Sequence, residues 1–109
     1  MNSKQNTYKI FQFGLDDMPD WFYNADPTIV MHLGYGTIIK RSDDACDMWY
    51  EIQTGEYIFR HVETGRMFIL PKVVYEDLLA EDLIWRWRDE AYIFNPILIH
   101  PYQIAKTLE

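Results

Sequence analysis

The segment MWYEIQTGEYIFRHVETGRMFIL, residues 48–70, decides the fold that we expect for this chain. Its apolar and aromatic residues favour three strands, Met48 to Ile52, Glu56 to Val62 and Arg66 to Leu70. Thr54-Gly55 and Glu63-Thr64-Gly65 separate the strands, and glycine gives both bends the backbone freedom of a tight turn. The segment therefore predicts an antiparallel meander.

Shorter elements precede this meander. Strands are predicted from Tyr8 to Phe13, from Ile29 to Leu33 and from Thr37 to Arg41, the last two joined at Gly34-Tyr35-Gly36. Asp16 to Phe22 predicts a short helix, which Asp16 or Asp17 can cap and whose first turn tolerates Pro19. Residues 1–7 are predicted to be a loose end.

A longer helix and a less regular segment follow the meander. Lys72 to Leu83 has no Gly or Pro and carries apolar residues at helical spacing, so it predicts a helix. Ile84 to Arg88 alternates as a strand does, and Asn95-Pro96 limits Tyr92 to Ile99 to an edge strand or two short pieces. We therefore expect an α+β fold: a single small domain over residues 1–109, with an antiparallel meander sheet, a short N-terminal helix and one longer helix at about 72–83.

The charge of the chain restricts its partners. The 109 residues include 17 acidic and 10 basic side chains, which gives a formal net charge of −7. Phosphate contacts need clustered Lys and Arg, so direct nucleic-acid binding is not expected. The excess negative charge fits a soluble surface, or a surface that imitates nucleic acid and docks on a basic protein groove.

The location follows from the cysteine content and the lack of long apolar runs. Cys46 is the only cysteine, so a disulfide within the chain is impossible and a reducing compartment is expected. The polar N-terminus lacks the apolar core of a signal peptide, and no segment approaches the roughly 20 apolar residues that span a bilayer. The sequence predicts a cytoplasmic protein without membrane contact.

An acidic stretch is the first candidate partner-binding feature, with Asp43, Asp44 and Asp47 as its site residues. Asp43, Asp47 and Glu51 are four residues apart, so a helix would align their carboxylates about 6 Å apart on one face. Such a row would resemble the phosphates of a nucleic-acid strand. The alternative is a solvated loop, and the strand predicted from Met48 would keep the helix from reaching Glu51.

The stretch Trp85-Arg86-Trp87-Arg88 is the second candidate. In a strand, both tryptophans face one side and both arginines the other. Trp and Arg are enriched where proteins bind proteins, and they also stack on bases and pair with phosphates. The alternative is structural: the tryptophans cover the core, and the arginines pair with local acids such as Asp82, Asp89 and Glu90.

The sequence contains no recognisable catalytic, metal or cofactor motif. His32, His61 and His100 are widely separated and have no ligand spacing, so they are predicted to be structural. The carboxylates around Cys46 disfavour its thiolate form, which a nucleophile needs. Gly-rich phosphate loops and nucleophile elbows are absent from the sequence. We therefore expect a protein that is not an enzyme, with no metal and no cofactor.

Two blocks carry a family resemblance. They are FQFGLDDMPDWF (residues 11–22) and GEYIFRHVETGRMF (residues 55–68), the second continuing as PKVVYE (residues 71–76). In order and spacing they resemble small uncharacterised proteins of phages and prophages of Gram-positive bacteria. Those proteins carry EAFQFG-DD-PDWF and GDYIIKGVKGE-YPCKPDIFE stretches and end soon after the second block, so residues 84–109 are an extension. The resemblance implies a phage origin and no transferable catalytic residue.

A shorter stretch, DLLAED at residues 77–82, is similar to the DLLAEDW ending of phage sponge proteins that sequester nucleotide signals of host defence. Leu83 stands where that family has Trp.

We therefore expect a phage-encoded, non-enzymatic binding protein that inhibits a host protein, with a defence nuclease or another nucleic-acid-handling enzyme as the expected target. The alternative is a nucleotide sponge, in which arginines hold phosphates and aromatic rings stack on a base at the interface of a homo-oligomer. A further alternative is a phage accessory or assembly protein.

Overall fold

Two antiparallel sheets and a nine-residue helix form the framework of residues 3–41 and 48–105, which the computed structural model describes. The α+β class is confirmed. The strands are β1 (Thr7–Gln12), β2 (Val30–Leu33), β3 (Gly36–Arg41), β4 (Met48–Glu51), β5 (Tyr57–His61), β6 (Met67–Leu70), β7 (Ile84–Trp87) and β8 (Glu90–Ile93). The helices are α1 (Asp20–Tyr23) and α2 (Lys72–Ala80), with 3-10 segments at Ser3–Asn6 and Pro96–Tyr102.

The strands of the predicted meander are confirmed, but their pairing differs from the prediction. β5 and β6 form the expected hairpin, within a five-stranded sheet of order β6-β5-β1-β8-β7. β4 instead pairs with β3 in a three-stranded sheet of order β2-β3-β4.

The bend at Gly55 connects the two sheets instead of closing a hairpin between β4 and β5. The Gly55 N–H donates to the Phe13 carbonyl, and the Phe13 N–H donates to the Glu56 carbonyl, both at 2.8 Å. Gly14 allows this close approach because a Cβ there would lie 2.9 Å from the Thr54 side chain. The end of β1 thus takes the hydrogen bonds that a β4–β5 hairpin would have used.

The five-stranded sheet has a hydrophobic cluster on each face. On the first face, α2 and the second 3-10 segment cover residues such as Tyr8, Phe59 and Ile93. On the second face, α1 and the three-stranded sheet cover a cluster of Phe11, Phe22, Ile29, Val30, Ile39, Ile52, Ile58, Ile69 and Ile104. Alternate residues of one strand enter different clusters because side chains alternate across a sheet.

Helix α2 is shorter than predicted. It ends at Ala80, and Asp82 takes a left-handed conformation with φ 58°. The Asp82 N–H donates to the Leu79 carbonyl at 3.1 Å, and the Leu83 N–H donates to the Leu78 carbonyl at 2.9 Å. These two bonds form a Schellman motif, which ends a helix and most often contains glycine at the left-handed position.

The short helix also differs from its prediction. α1 begins at Asp20, and Pro19 is its N-cap without a side-chain hydrogen bond. The Asp16 carboxylate, expected as a possible cap, accepts a hydrogen bond from the Gln12 N–H at 2.8 Å. Asp16 therefore closes the turn after β1 and leaves the helix to begin four residues later.

The apolar stretch from Tyr92 to Ile99 is divided between strand β8 and the second 3-10 segment. The predicted alternative of two short pieces is therefore confirmed. β8 lies between β1 and β7, so it is an inner strand and the prediction of an edge strand is wrong. Pro96 lies beyond β8 and does not interrupt its ladder. Asn95 caps the 3-10 segment that follows by accepting a hydrogen bond from the Ile97 N–H.

Candidate binding site

The β7–β8 hairpin lies at one end of the five-stranded sheet. Arg88 and Asp89 form its two-residue turn, and Arg88 has φ 57°. Trp85 pairs with Tyr92 and Trp87 with Glu90 across the hairpin. Because directly paired residues point to the same side, these four side chains share one face of the sheet.

The tryptophans of this hairpin are exposed. Trp85 is 63% and Trp87 60% exposed, so the alternative in which they cover the core is wrong. Tyr92 lies beside them, and the Phe94 ring, 56% exposed, packs edge to face on Tyr92 at a centroid distance of 5.0 Å. We call Trp85, Trp87, Tyr92 and Phe94 the aromatic face.

The aromatic face is open because the smaller sheet covers only part of the second face. Phe11, Ile58 and Ile69 bring β1, β5 and β6 into the covered cluster. Among the described residues, β7 and β8 contribute none to that cluster. In residues 3–41 and 48–105, the three strands and the short helix cover only part of the five-stranded sheet, and Trp85 and Trp87 at its β7 end are exposed.

Arg86 and Arg88 make different contacts. Arg86 points to the opposite face, as the alternation predicted, and lies 5.9 Å over the Tyr57 ring. Its Nε donates to the Arg88 carbonyl at 2.8 Å, and its Nη2 lies 3.6 Å from Asp16 Oδ2. Arg86 thus forms its ion pair with Asp16, which is 70 residues earlier in the chain, and the structural alternative had named the local acids Asp82, Asp89 and Glu90 as partners.

Arg88 is displaced by the turn and stacks on its neighbour. Its guanidinium carbon lies 5.3 Å from the centroid of the Trp87 ring, which is a cation–π contact. The expectation that both arginines share the face opposite the tryptophans therefore holds for Arg86 within β7, while Arg88 lies outside the strand.

A pocket of about 230 Å³ lies on the aromatic face. It is lined by Thr7, Trp85, Trp87, Glu90, Ala91 and Tyr92. The Glu90 carboxylate forms an ion pair with Lys9 Nζ at 3.0 Å, and both side chains are substantially exposed. The lining thus combines three aromatic residues with one acidic residue, Glu90.

The acidic site residues Asp43, Asp44 and Asp47, and Cys46 with them, lie outside the described residues. Glu51 lies in strand β4, so the row of aligned carboxylates does not extend to it on one helix.

The histidines have structural partners. His61 is buried; its Nδ1 accepts from the Thr64 N–H at 3.0 Å, and its Nε2 lies 2.7 Å from the Gln5 carbonyl. This arrangement fixes the tautomer with the proton on Nε2. The described residues contain no group of three or more His, Cys, Asp or Glu side chains suited to a metal ion.

A buried carboxylate joins the two sheets. Glu56 is 8% exposed, and its two oxygens share the single O–H donor of Tyr50 at 2.9 and 2.8 Å, while Oε1 also accepts from the Gln53 N–H at 2.6 Å. Tyr50 belongs to β4 and Glu56 directly precedes β5. Burial, followed by the hydrogen bond to Glu56, raises the pKa of Tyr50 to about 12. We call this contact the Tyr50–Glu56 clamp.

Sequence reasoning missed Glu90, Tyr92 and Phe94 as parts of the candidate site. The alternation of Tyr92 and Phe94 was the available signal, because residues two apart on a strand share a face. Only the hairpin register brings these residues to the tryptophans, and the two-residue turn at Arg88 that sets this register has none of the usual glycine or asparagine.

Comparisons with protein-family models, with curated proteins and with solved structures find no match to this chain. The resemblances to phage proteins therefore stay predictions. In the described part of the chain, no helix has both the length and the apolar character to cross a bilayer.

Proposed function

We propose that this chain is a phage-encoded, non-enzymatic binding protein whose aromatic face docks on a host protein and inhibits it. The supporting observation is that Trp85 and Trp87 are more than half exposed on an uncovered sheet face. The expected target is a defence nuclease or another nucleic-acid-handling enzyme in the host cytoplasm.

The energetics favour a docking role for the tryptophans. About 60% of a Trp side chain of about 250 Å² corresponds to about 150 Å² of surface that docking can bury. At about 25 cal/mol per Å², each ring offers up to about 4 kcal/mol, which is the scale of an interface hot spot. Folding leaves this exposed area in water, so only a partner can gain from burying it.

The net charge of −7 supports a basic target. Electrostatic complementarity with a positively charged nucleic-acid groove would speed association and select such partners over acidic ones. Asp43, Asp44 and Asp47 remain proposed partner-binding residues in this interaction.

The nucleotide-sponge alternative has less support from the geometry. Arg66 lies at the β6 edge of the five-stranded sheet, while Arg86 and Arg88 lie at the β7 end. Arg86 and Arg88 line one groove with Trp85 and Tyr75, but one chain does not bring Arg66 to it, and a sponge that used all three arginines would need a site shared between subunits.

The test compares tagged wild-type protein with a Trp85→Ala/Trp87→Ala variant in host lysate, followed by native mass spectrometry of the recovered assemblies. Trp49→Ala is the matched control, because Trp49 is also exposed but belongs to the smaller sheet. We expect one host protein that the wild type and the control retain and the double variant loses, with inhibition of that protein following the same order. Equal retention by all three variants would refute docking through the aromatic face. A mass increment of a few hundred daltons in place of a protein would favour the sponge.

In a parallel experiment, charge reversal of Asp43, Asp44 and Asp47 tests the mimicry of nucleic acid. Unchanged binding and inhibition would refute that part of the proposal.

A further inference from the structure

The pocket on the aromatic face has the composition of a site for an organic cation. We infer that it receives an arginine side chain of the partner protein, an inference that rests on the proposed function. The pocket of about 230 Å³ is lined by Trp85, Trp87, Tyr92 and Glu90. The guanidinium group is planar, cationic and weakly hydrated, and these are the properties that such a lining recognises.

The two tryptophans border the pocket from one strand. Trp85 and Trp87 are alternate residues of β7, so they share one face of the sheet, with Cα atoms about 7 Å apart. Both line the pocket and offer aromatic surface to a bound group. Tyr92, directly opposite Trp85, closes the pocket from the neighbouring strand.

The charges at the pocket favour a cation over an anion. Aromatic faces carry negative partial charge, and Trp is the strongest cation–π partner among the side chains. The Glu90 carboxylate contacts Lys9 Nζ at 3.0 Å, yet a carboxylate has about four acceptor positions and can receive a second cation. A phosphate would meet this carboxylate and the net charge of −7, so a nucleotide is disfavoured.

The chain itself supplies a guanidinium that stacks on one of these rings. Arg88 lies 5.3 Å from the Trp87 centroid, and it lines two neighbouring grooves, one beside α2 and one beside Asp16. The Arg88 contact shows that the Trp87 ring accepts a guanidinium in this environment. The pocket that Trp85, Trp87 and Tyr92 line offers similar aromatic surface to an arginine from outside.

The probe is N-acetyl-arginine amide, followed through the indole N–H signals of the tryptophans in ¹H–¹⁵N NMR spectra. N-acetyl-citrulline amide is the matched control, because it is planar and of the same shape but uncharged. We expect millimolar binding of the arginine probe that shifts the Trp85 and Trp87 signals more than those of Trp49, and binding of the citrulline probe at least threefold weaker.

Variants assign the binding to the pocket. Glu90→Gln and Trp85→Ala should each weaken arginine binding at least threefold, and Trp49→Ala should leave it unchanged. The dispersion of the remaining NMR signals reports whether each variant is folded. Equal binding of arginine and citrulline probes, tighter binding of AMP, or no shift at Trp85 and Trp87 would overturn the inference.

Repeating the lysate capture with Glu90→Gln separates this inference from the proposed function. Capture that depends on Trp85 and Trp87 but is as strong with Glu90→Gln would refute the cation pocket while the docking proposal stands. Selective arginine binding without any host protein that depends on the tryptophans would refute the docking proposal while the pocket stands.

Discussion

Removing the Tyr50 hydroxyl should destabilise the protein out of proportion to the one atom that is lost. In Tyr50→Phe, the buried Glu56 carboxylate loses a hydrogen bond of 2.8 to 2.9 Å and keeps the one from the Gln53 N–H. Leaving a buried charged acceptor short of a partner costs about 1.5 to 3 kcal/mol. For a domain of about 100 residues, 1 kcal/mol corresponds to about 4 to 8 °C, so the melting temperature should fall by about 6 to 24 °C.

Chemical denaturation of four proteins measures this directly: wild type, Tyr50→Phe, Glu56→Leu, which removes the acceptor, and the double variant. If the two groups stabilise the fold through each other, the double variant should be about 1 to 2 kcal/mol more stable than the sum of the single effects predicts. Tyr23→Phe is the control, because this tyrosine is 62% exposed and should change the stability by less than about 0.5 kcal/mol. Additive effects at Tyr50 and Glu56 would refute the clamp as the contact that joins the sheets.

Three further results are expected. Asp82→Gly should stabilise the protein by about 0.5 kcal/mol in urea denaturation, because glycine relieves the left-handed strain at φ 58° by more than its entropy costs; a loss of stability would contradict this. Trp85→Ala and Trp87→Ala should each lower the free energy of unfolding by at most about 2.5 kcal/mol, because folding buries only about 40% of each side chain, and the docking that we propose predicts that each weakens partner binding roughly 30- to 700-fold. Burial raises the pKa of Tyr8 to about 12 from 10.0, so the folded state holds its proton more tightly; the resulting stability is complete below about pH 10 and should fall by about 2 to 3 kcal/mol between pH 10 and 12. Tyr8→Phe should lose less stability over that interval, as denaturation at each pH would report.

Local sequence patterns predicted which residues form strands, and they could not predict all the partners of those strands. The segments around Tyr57 and Met48 were both recognised from their apolar and aromatic content. The pairing of β4 depends on whether Gly55 closes a hairpin or turns the chain toward Phe13, and glycine permits either. The choice is made by contacts of β1, about 40 residues earlier in the chain.

For the candidate site, too, one part could be predicted from the sequence and another could not. Alternation in β7 correctly placed Trp85 and Trp87 on one side of the sheet and Arg86 on the other. Whether that side faced the core or solvent was not accessible from periodicity, because an aromatic strand face has the same pattern in both cases. The answer depends on the size of the second sheet, which is a property of the whole fold.

The position of Arg86 bears on how another molecule could meet the β7 end of the sheet. β7 is the last strand in the order of its sheet, so its outer edge could pair with a strand of another molecule. Arg86 points inward from this strand, with its guanidinium over Tyr57 of β5 and 3.6 Å from Asp16, and an inward-pointing charge on an edge strand is a known obstacle to edge pairing. Trp85 and Trp87 lie on the opposite face of the same strand. The docking that we propose is therefore expected to use the side chains of the aromatic face and not to extend the sheet.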